Sequence, residues 1–392
     1  MSKKLDFPQN FLWGSATSAY QVEGGIENAD WSKFKSAGKA CDHYNKFKED
    51  FDIAADKLNQ NAHRLSVKWS RVEPEKNNFN QEAIDHYREV LGYLKEKDMK
   101  TMVTLHHFTN PVWLAESGGW ELDEAPFYFA RLSKRVVREL NPLVDFWCTI
   151  NEPTLYANLS YRTGEWPPQK ESNISFLKVL KNQIQAHKQT FEEIHEIDKE
   201  AKVGIVKNNQ YYTPFSNSLL DQLTVGVNSY LRNNLFLDLI RNKLDFIGLN
   251  YYFHNRIQFP YKLKNKNEVT SDLGWEVYPE GIYYALKNLK KYELPIYITE
   301  NGLADKEDEL RKQFIKKHLY WVHKAISEGV DIRGYFHWSL LDNFEWAEGF
   351  EPRFGLVEVD YENQERVIRD SAEYYADVAD SNSLHIPGNW SN

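Results

Sequence analysis

The sequence predicts one (β/α)8 barrel, a single α/β domain over residues 1–392. Three observations point there. Eight runs rich in β-branched and aromatic residues recur along the chain, each is followed by a stretch with helical apolar spacing, and no GxGxxG or GxxxxGKS/T phosphate turn follows an early run. Strict strand–helix alternation closes as a parallel sheet, whereas a doubly wound open sheet would call for the glycine-rich turn. The runs are Leu12–Gly14, Ala62–Ser66, Lys100–His106, Phe146–Ile150, Lys202–Val206, Asp245–Asn250, Pro295–Thr299 and Ile332–Trp338. They are almost continuously apolar, as strands covered on both faces must be. The first helical stretch, Asp50–Asn59, places Phe51, Ala54, Ala55 and Leu58 on one face; the second, Gln81–Lys97, does so with Ile84, Tyr87, Leu91 and Leu94. Ala125–Leu140, Ser175–Asp198, Asn217–Arg241, Pro279–Tyr292, Asp308–Glu328 and Arg366–Val378 behave alike. At roughly 150 residues per domain the length would allow two or three domains, but barrels of this type fill 200 to more than 400 residues as one. No linker or repeat divides the chain; Gly118–Gly119, Trp166–Pro168 and Tyr261–Asn267 read as surface loops, and Asp380–Asn392 as a polar tail.

Composition narrows the function. Lysine and arginine number 48 against 57 acidic residues, a formal charge of −9, which argues against a nucleic-acid partner. No run approaches the 18 or so apolar residues of a membrane span, so no membrane partner is expected. The start, MSKKLDFPQNFLWG, shows no apolar core of a signal peptide, and Cys41 and Cys148 cannot make a disulfide framework; both suit a cytoplasmic location. Aromatic residues are 15% of the chain, with 12 Trp and 23 Tyr. Such an excess builds a large core, and it also supplies flat platforms for the C–H faces of sugars. Trp13, Trp69, Trp147 and Trp321 read as core, and the run Lys262–Lys266 as a solvated loop face.

Chemistry in such a barrel gathers where the strands end. There the sequence places Gln21 and Glu23, Arg64, His106–His107, Asn151–Glu152, Asn250–Tyr251–Tyr252, Glu300–Asn301, and Trp338 followed by Asp342, Asn343, Glu345 and Trp346. A single glutamate at a strand end is usually a surface or ion-paired group. Two of them, each beside an asparagine and among aromatics, fit a glycosidase: one protonates the leaving oxygen, the other attacks the anomeric carbon. No metal or cofactor is called for. Adjacent His106 and His107 point to opposite faces of a strand and form no chelate, so one is read as sugar-binding and one as structural. Strict alternation would likewise part Asn151 from Glu152, so a bulge or sharp turn is expected there.

The segments FLWGSATSAYQVEGG (11–25), RLSVKWSR (64–71), TLHHFTNPVWL (104–114), TINEP (149–153), DFIGLNYY (245–252), YITENG (297–302) and the long run WSLLDNFEWAEGFEPRFGL (338–356) resemble, in order, the retaining β-glycosidases of glycoside hydrolase family 1. The resemblance covers Phe11 to about Tyr361 and implies a TIM-type barrel with Glu152 as general acid/base and Glu300 as nucleophile. It implies that Gln21, His107, Asn151, Trp338, Glu345 and Trp346 bind the sugar, Asn151 at its 2-hydroxyl, and that Arg64 and Tyr252 hold Glu300 ionised and oriented. Tyr252 and Trp275 are counted with the substrate contacts as well, and Asn250 with the groups supporting the nucleophile. A cation beside a carboxylate lowers its pKa and burial without one raises it, so Glu300 is expected low and Glu152 high. The family also commonly has a cis peptide after the last strand's Trp, here Trp338–Ser339.

These readings predict a retaining exo-β-glycosidase acting on terminal, unphosphorylated β-D-glycosides or oligosaccharides, with glucosides first and galactosides or fucosides beside them. Glu345 separates this from the 6-phospho-β-glycosidase alternative, because a carboxylate there repels a phosphate and no Ser/Lys/Tyr cluster replaces it. A mainly transglycosylating enzyme, an inactive sugar-binding relative and a homo-oligomer remain open from sequence. Phe108 stands where many members have Trp, and the chain is short between Trp31 and Asp42, around Tyr211–Leu231 and at Tyr252–Trp275. An open cleft is therefore expected, with Trp113, Trp166 and Trp275 as candidate aglycone walls.

Overall fold

The computed structural model describes residues 2–388. All eight strands are present: β1 (Leu12–Ala16), β2 (Ala62–Ser66), β3 (Lys100–His106), β4 (Phe146–Asn151), β5 (Val203–Asn208), β6 (Phe246–Asn250), β7 (Ile296–Asn301) and β8 (Ile332–Trp338). They pair in parallel, each with its sequence neighbours, and β8 returns to β1 to close the barrel. Three coincide with the sequence reading; β1, β4, β5 and β7 run one or two residues further at their C-terminal ends, where the site lies.

Two apolar layers hold the barrel. Inside it, Ala16, Ala62, Met102, Cys148, Phe246, Tyr297 and Phe336 alternate with residues that face the helices. Outside, Trp13, Trp69, Trp147 and Trp321 are buried with the helix faces, as their sequence context indicates. Along the helical shell lie α1 (His43–Asp52), α2 (Gln81–Glu96), α3 (Ala125–Leu140), α4 (Pro153–Tyr161), α5 (Asn173–Ile197), α6 (Leu219–Ser229), α7 (Leu235–Ile240), α8 (Glu280–Leu289), α9 (Arg311–Ser327) and α10 (Asp370–Ser381). Helix α3 buries Ala125, Phe129, Leu132, Val136 and Leu140, a full apolar stripe. Asn80 caps α2 by accepting from the Ala83 amide, and Ser172 caps α5 through the Ser175 amide.

Five readings change. The first helix begins at His43, seven residues early, and its last turn widens into a π-helical turn at Ile53–Lys57. The stretch 217–241 is split into α6 and α7 by a π-helical turn at Tyr230–Asn234. Arg366–Ile368 is a strand paired with Val357–Val359, so the last helix starts at Asp370. The tail is partly structured: Ser383–Pro387 pairs antiparallel with Ser2–Asp6, while 389–392 lie outside the described residues. Three short strands, Tyr211–Pro214, His254–Gln258 and Lys262–Leu263, form a small sheet beside the barrel mouth, so part of the expected loop 261–267 is a strand edge. No described helix is long and apolar enough to cross a membrane.

Candidate active site

At the C-terminal mouth of the barrel a cavity of about 280 Å3 is lined by Glu152, Glu300, Glu345, Tyr252, Trp338 and Trp346, among others. Glu152 follows β4 directly and caps α4. Its backbone is left-handed, φ 43° and ψ 54°, an uncommon conformation for a residue with a Cβ. In the pairing of β4 with β5 the register slips between Cys148 and Asn151. Slip and turn together bring both Asn151 and Glu152 to the interior, the sharp turn the alternation argument calls for. A second slip, which the sequence reading did not foresee, lies on β7 between Ile298 and Glu300. Tyr297 faces the barrel interior and Ile298 the helices. Regular alternation would send Glu300 outward with Ile298; the bulge turns it into the cavity. Gly302 has no Cβ because one there would sit 1.7 Å from the Trp338 carbonyl oxygen, so the ENG segment can press against the end of β8. The Trp338–Ser339 peptide is cis.

One hydrogen-bond chain joins the two glutamates. Tyr252 donates its hydroxyl to Glu300 Oε2 at 2.9 Å, and Arg64 Nη1 donates to Glu300 Oε1. The other arm of Arg64 donates to Asn151 Oδ1 at 2.7 Å, which also accepts from Asn250 Nδ2 at 3.4 Å. Asn250, expected beside Glu300, donates most closely to Glu152 Oε1, at 2.6 Å. The reason is geometric: Asn250 ends β6, between β5 and β7, and its side chain reaches across the mouth to the turn after β4. Asn208, at the end of β5, donates to Glu152 Oε2 at 3.3 Å. Glu300 thus faces a buried guanidinium, while Glu152 accepts from neutral amides. Burial pushes the Glu152 carboxyl up to about 8; the Glu300 charge pushes the same way, and the two amides oppose it. Glu345 is likewise pushed up to about 8, by burial first and then by Glu300 and Glu152.

Most of the remaining predicted residues gather around these three carboxyls. Gln21 is fully buried and donates to Asn343 Oδ1 and the Phe344 carbonyl, both at 2.9 Å, and to Glu345 at 3.4 Å. Its Oε1 has no partner among the described residues, a free acceptor beside Glu345. His107 lines the cavity, stacks near Trp346 and bonds Asn151 Nδ2 at 3.1 Å; His106 instead meets Asn110 within an aromatic cluster with Trp120 and Tyr156. Trp275 and Trp166 line the cavity, but Trp113 does not: its indole donates to the Glu73 carbonyl and packs on Trp69. Glu23 pairs with Arg71 and Tyr87 away from the cavity, and Asp342 is held by Arg369 and Arg353. Phe108 and Trp346, both on the wall, also have positive φ, 65° and 49°.

Asn208 was missed in the sequence because the fifth run was ended at Val206; the polar pair after that apolar run was its signal. Its neighbour Lys207 is buried, donates to Thr154 Oγ1 at 2.8 Å, and is pushed down to about 7 by burial. Among the described residues no group of three or more His, Cys, Asp or Glu is placed to hold a metal ion.

Comparison with known proteins identifies the family. The model of glycosyl hydrolase family 1 matches residues 3–242 and 232–384. Beta-glucosidase A of Thermotoga maritima is 35% identical over 440 aligned positions, covering 96% of this chain and 98% of the relative. A beta-galactosidase of Sulfolobus acidocaldarius is 31% identical, covering 97% of this chain and 96% of that one. In both, the aligned length exceeds the 392 residues here, so the relatives carry insertions this chain lacks. Among solved structures, a beta-glycosidase from Pyrococcus horikoshii superposes with TM-score 0.93 at 40% identity, covering 97% and 96% of the two chains. The beta-glucosidase from Thermotoga maritima in complex with glucoimidazole gives 0.90 at 34%, covering 97% and 100%. Two opposed glutamates at strand ends, a buried arginine against one of them, and agreement along nearly the whole chain lead to one conclusion: the chain is a glycoside hydrolase and belongs to glycosyl hydrolase family 1.

Proposed function

We propose that this enzyme removes the terminal glycosyl unit of unphosphorylated β-D-glycosides with net retention, glucosides foremost. The observation that carries the reading is the unequal surroundings of the two glutamates. Glu152, held protonated to about pH 8 by burial, gives its proton to the glycosidic oxygen as the C–O bond breaks. Glu300, oriented by Arg64 and Tyr252, bonds to the anomeric carbon from the other face. Glu152, now ionised, takes a proton from water, whose oxygen attacks the anomeric carbon and releases Glu300. Asn151 is the candidate contact for the 2-hydroxyl, and Gln21 with Glu345 for hydroxyls deeper in the pocket; Trp338 and Trp346 offer faces to the ring. An alcohol in place of water gives transglycosylation through the same intermediate. The free buried thiols of Cys41 and Cys148 fit the expected cytoplasmic setting. The relatives named beta-glucosidase and beta-galactosidase support a glycone range that spans both epimers.

The test follows p-nitrophenyl β-glucoside hydrolysis by proton NMR and identifies the peptide labelled by a 2-deoxy-2-fluoro-β-glucosyl inactivator. The expected results are β-glucose as the first product and a label on Glu300. α-Glucose appearing first, or a label elsewhere, refutes the mechanism.

A further inference from the structure

We infer that Lys68 is a positioning residue for the sugar: its buried ammonium fixes two segments of the pocket wall, the turn His107–Thr109 and Trp346. The inference rests on the glycosidase reading and adds a residue that acts on the glycone through its neighbours. Lys68 follows β2 at the mouth end of the barrel and is 2% exposed. Its amide donates to the Tyr87 hydroxyl at 2.9 Å, which pins the backbone. Its ammonium has two contacts. It donates to Thr109 Oγ1, its one hydrogen-bond acceptor among the described residues, and it lies 5.1 Å from the centre of the Tyr20 ring.

Each contact leads to a wall residue with a strained backbone. The Thr109 amide donates to the His107 carbonyl at 2.9 Å, and its hydroxyl reaches the same oxygen at 3.4 Å. This closes a three-residue turn centred on Phe108, at φ 65°, a rare and strained form. His107 and Phe108 both line the catalytic cavity. On the other side, Tyr20 lies nearly parallel to Trp346, with ring centres 6.1 Å apart and 7° between planes, and Trp346 has φ 49°. Such conformations persist only where the surroundings hold them. Asp30 links the two sides: its Oδ1 accepts from the amides of Trp31 and Asn110, at 2.8 and 2.9 Å. Asn110 follows the turn, and the Trp31 ring centre lies 4.9 Å from that of Trp346. A side chain with packing as its only task would be apolar here. Methionine fills a similar volume without taking a charge out of water, and a buried ammonium with one hydrogen bond costs stability. What the charge adds is directional, a hold on the Thr109 hydroxyl and on the face of Tyr20.

Burial pushes the Lys68 pKa down to about 7; Asp30 and Glu23 oppose the fall and Arg71 adds to it. The measurements are therefore made at about pH 6, where the ammonium is charged. Lys68→Met removes the charge and keeps the volume, whereas Thr109→Val removes only the acceptor. The readouts are KM and kcat for p-nitrophenyl β-glucoside and the inhibition constant of glucose, a neutral probe of the glycone pocket. In Lys68→Met, KM and the glucose constant should both rise about three- to thirtyfold, as for a lost desolvated cation–ring contact. The kcat should stay within about threefold, the signature of binding shared by ground and transition states. Thr109→Val should raise both constants about threefold, and the double variant should lose no more than about twofold beyond Lys68→Met, because both act through one ammonium. Circular dichroism first shows which variants fold; if Lys68→Met does not, Thr109→Val decides by the same two constants. Constants unchanged within about twofold in a folded variant, additive losses in the double variant, or a fall in kcat at constant KM each overturn the inference and leave the glycosidase reading in place. Absence of p-nitrophenyl β-glucoside hydrolysis by the unaltered protein refutes the glycosidase reading, and the inference with it.

Discussion

Removing the Asn250 amide should move the alkaline limb of the pH–rate profile upward. Asn250 Nδ2 lies 2.6 Å from Glu152 Oε1, and this contact favours the ionised carboxylate. A hydrogen bond to a charged group contributes about 1.5–3 kcal/mol. At about 1.4 kcal/mol per pH unit, Asn250→Ala should raise the Glu152 pKa by about one to two units above its value of about 8. Asn208→Ala removes a longer contact, 3.3 Å, and should move it by less than about one unit. The assay is kcat/KM for p-nitrophenyl β-glucoside against pH, with quenched readout, because kcat/KM reports groups of the free enzyme. Only the limb's position matters, so loss of overall rate does not obscure the result. A limb that stays at about 8 in Asn250→Ala, or moves down, refutes the assignment of Asn250 to the acid/base.

Three further outcomes follow from the same contacts. Arg64→Met leaves the Glu300 carboxylate buried without its cation and should destabilise the fold by about 3–5 kcal/mol in urea titrations, the cost of breaking a buried ion pair; a loss below about 1 kcal/mol would contradict that pairing. Glu152 and Glu345 have folded pKa values of about 8, raised above the ordinary 4.5, so their contribution is fully present below about 4.5 and is lost as pH rises through about 8. Unfolding free energy should therefore decline between about pH 5 and 8, less steeply in Glu345→Gln; a flat profile contradicts the raised values. Glu345 gains charge over the same range, so preference for an aryl glucoside over its 6-phosphate should widen from about pH 6.5 to about pH 9. Preference for the phosphate would instead favour the phospho-glycosidase reading.

The barrel was legible because its strands are buried on both faces and read as apolar runs of the right length. What failed was punctuation that depends on the third dimension. The first helix starts behind Asp42, which is left-handed at φ 53°, and its first turns are the polar His-Tyr-Asn-Lys, a segment periodicity alone passes over. The π-helical turn at Tyr230–Asn234 breaks a pattern that is continuous in sequence. The pairing of Ser2–Asp6 with Ser383–Pro387 joins the two ends of the chain, beyond any local signal. At the site, Glu152 and Glu300 were legible from their motifs. Which of them Asn250 touches was not, since a strand-end amide can lean toward either neighbour and only the closed barrel decides. The bulge before Glu300 was missed although the argument used for Glu152 applies to it equally: Tyr297 inward implies Glu300 outward unless the register slips.

The site places three buried carboxyls around one guanidinium, and this imbalance has a consequence for the catalytic cycle. Ionising all three would leave about two uncompensated charges in a buried cavity, so protons settle on Glu152 and Glu345. The Glu300 charge is, after burial, the largest cause that holds the Glu152 proton. In the mechanism proposed above, bond formation between Glu300 and the sugar turns that carboxylate into a neutral ester and removes the repulsion. The Glu152 pKa must then fall, which is the direction its second task requires, because an acid that has given up its proton now has to serve as a base. Trapping Glu300 as the 2-deoxy-2-fluoroglycosyl ester and titrating carbon-13-labelled glutamate by NMR should show Glu152 ionising at lower pH than in the free enzyme. Glu300→Gln should show the same fall without a sugar present. If both leave Glu152 at about 8, burial alone holds its proton, and the change from acid to base cannot be driven by the charge of Glu300.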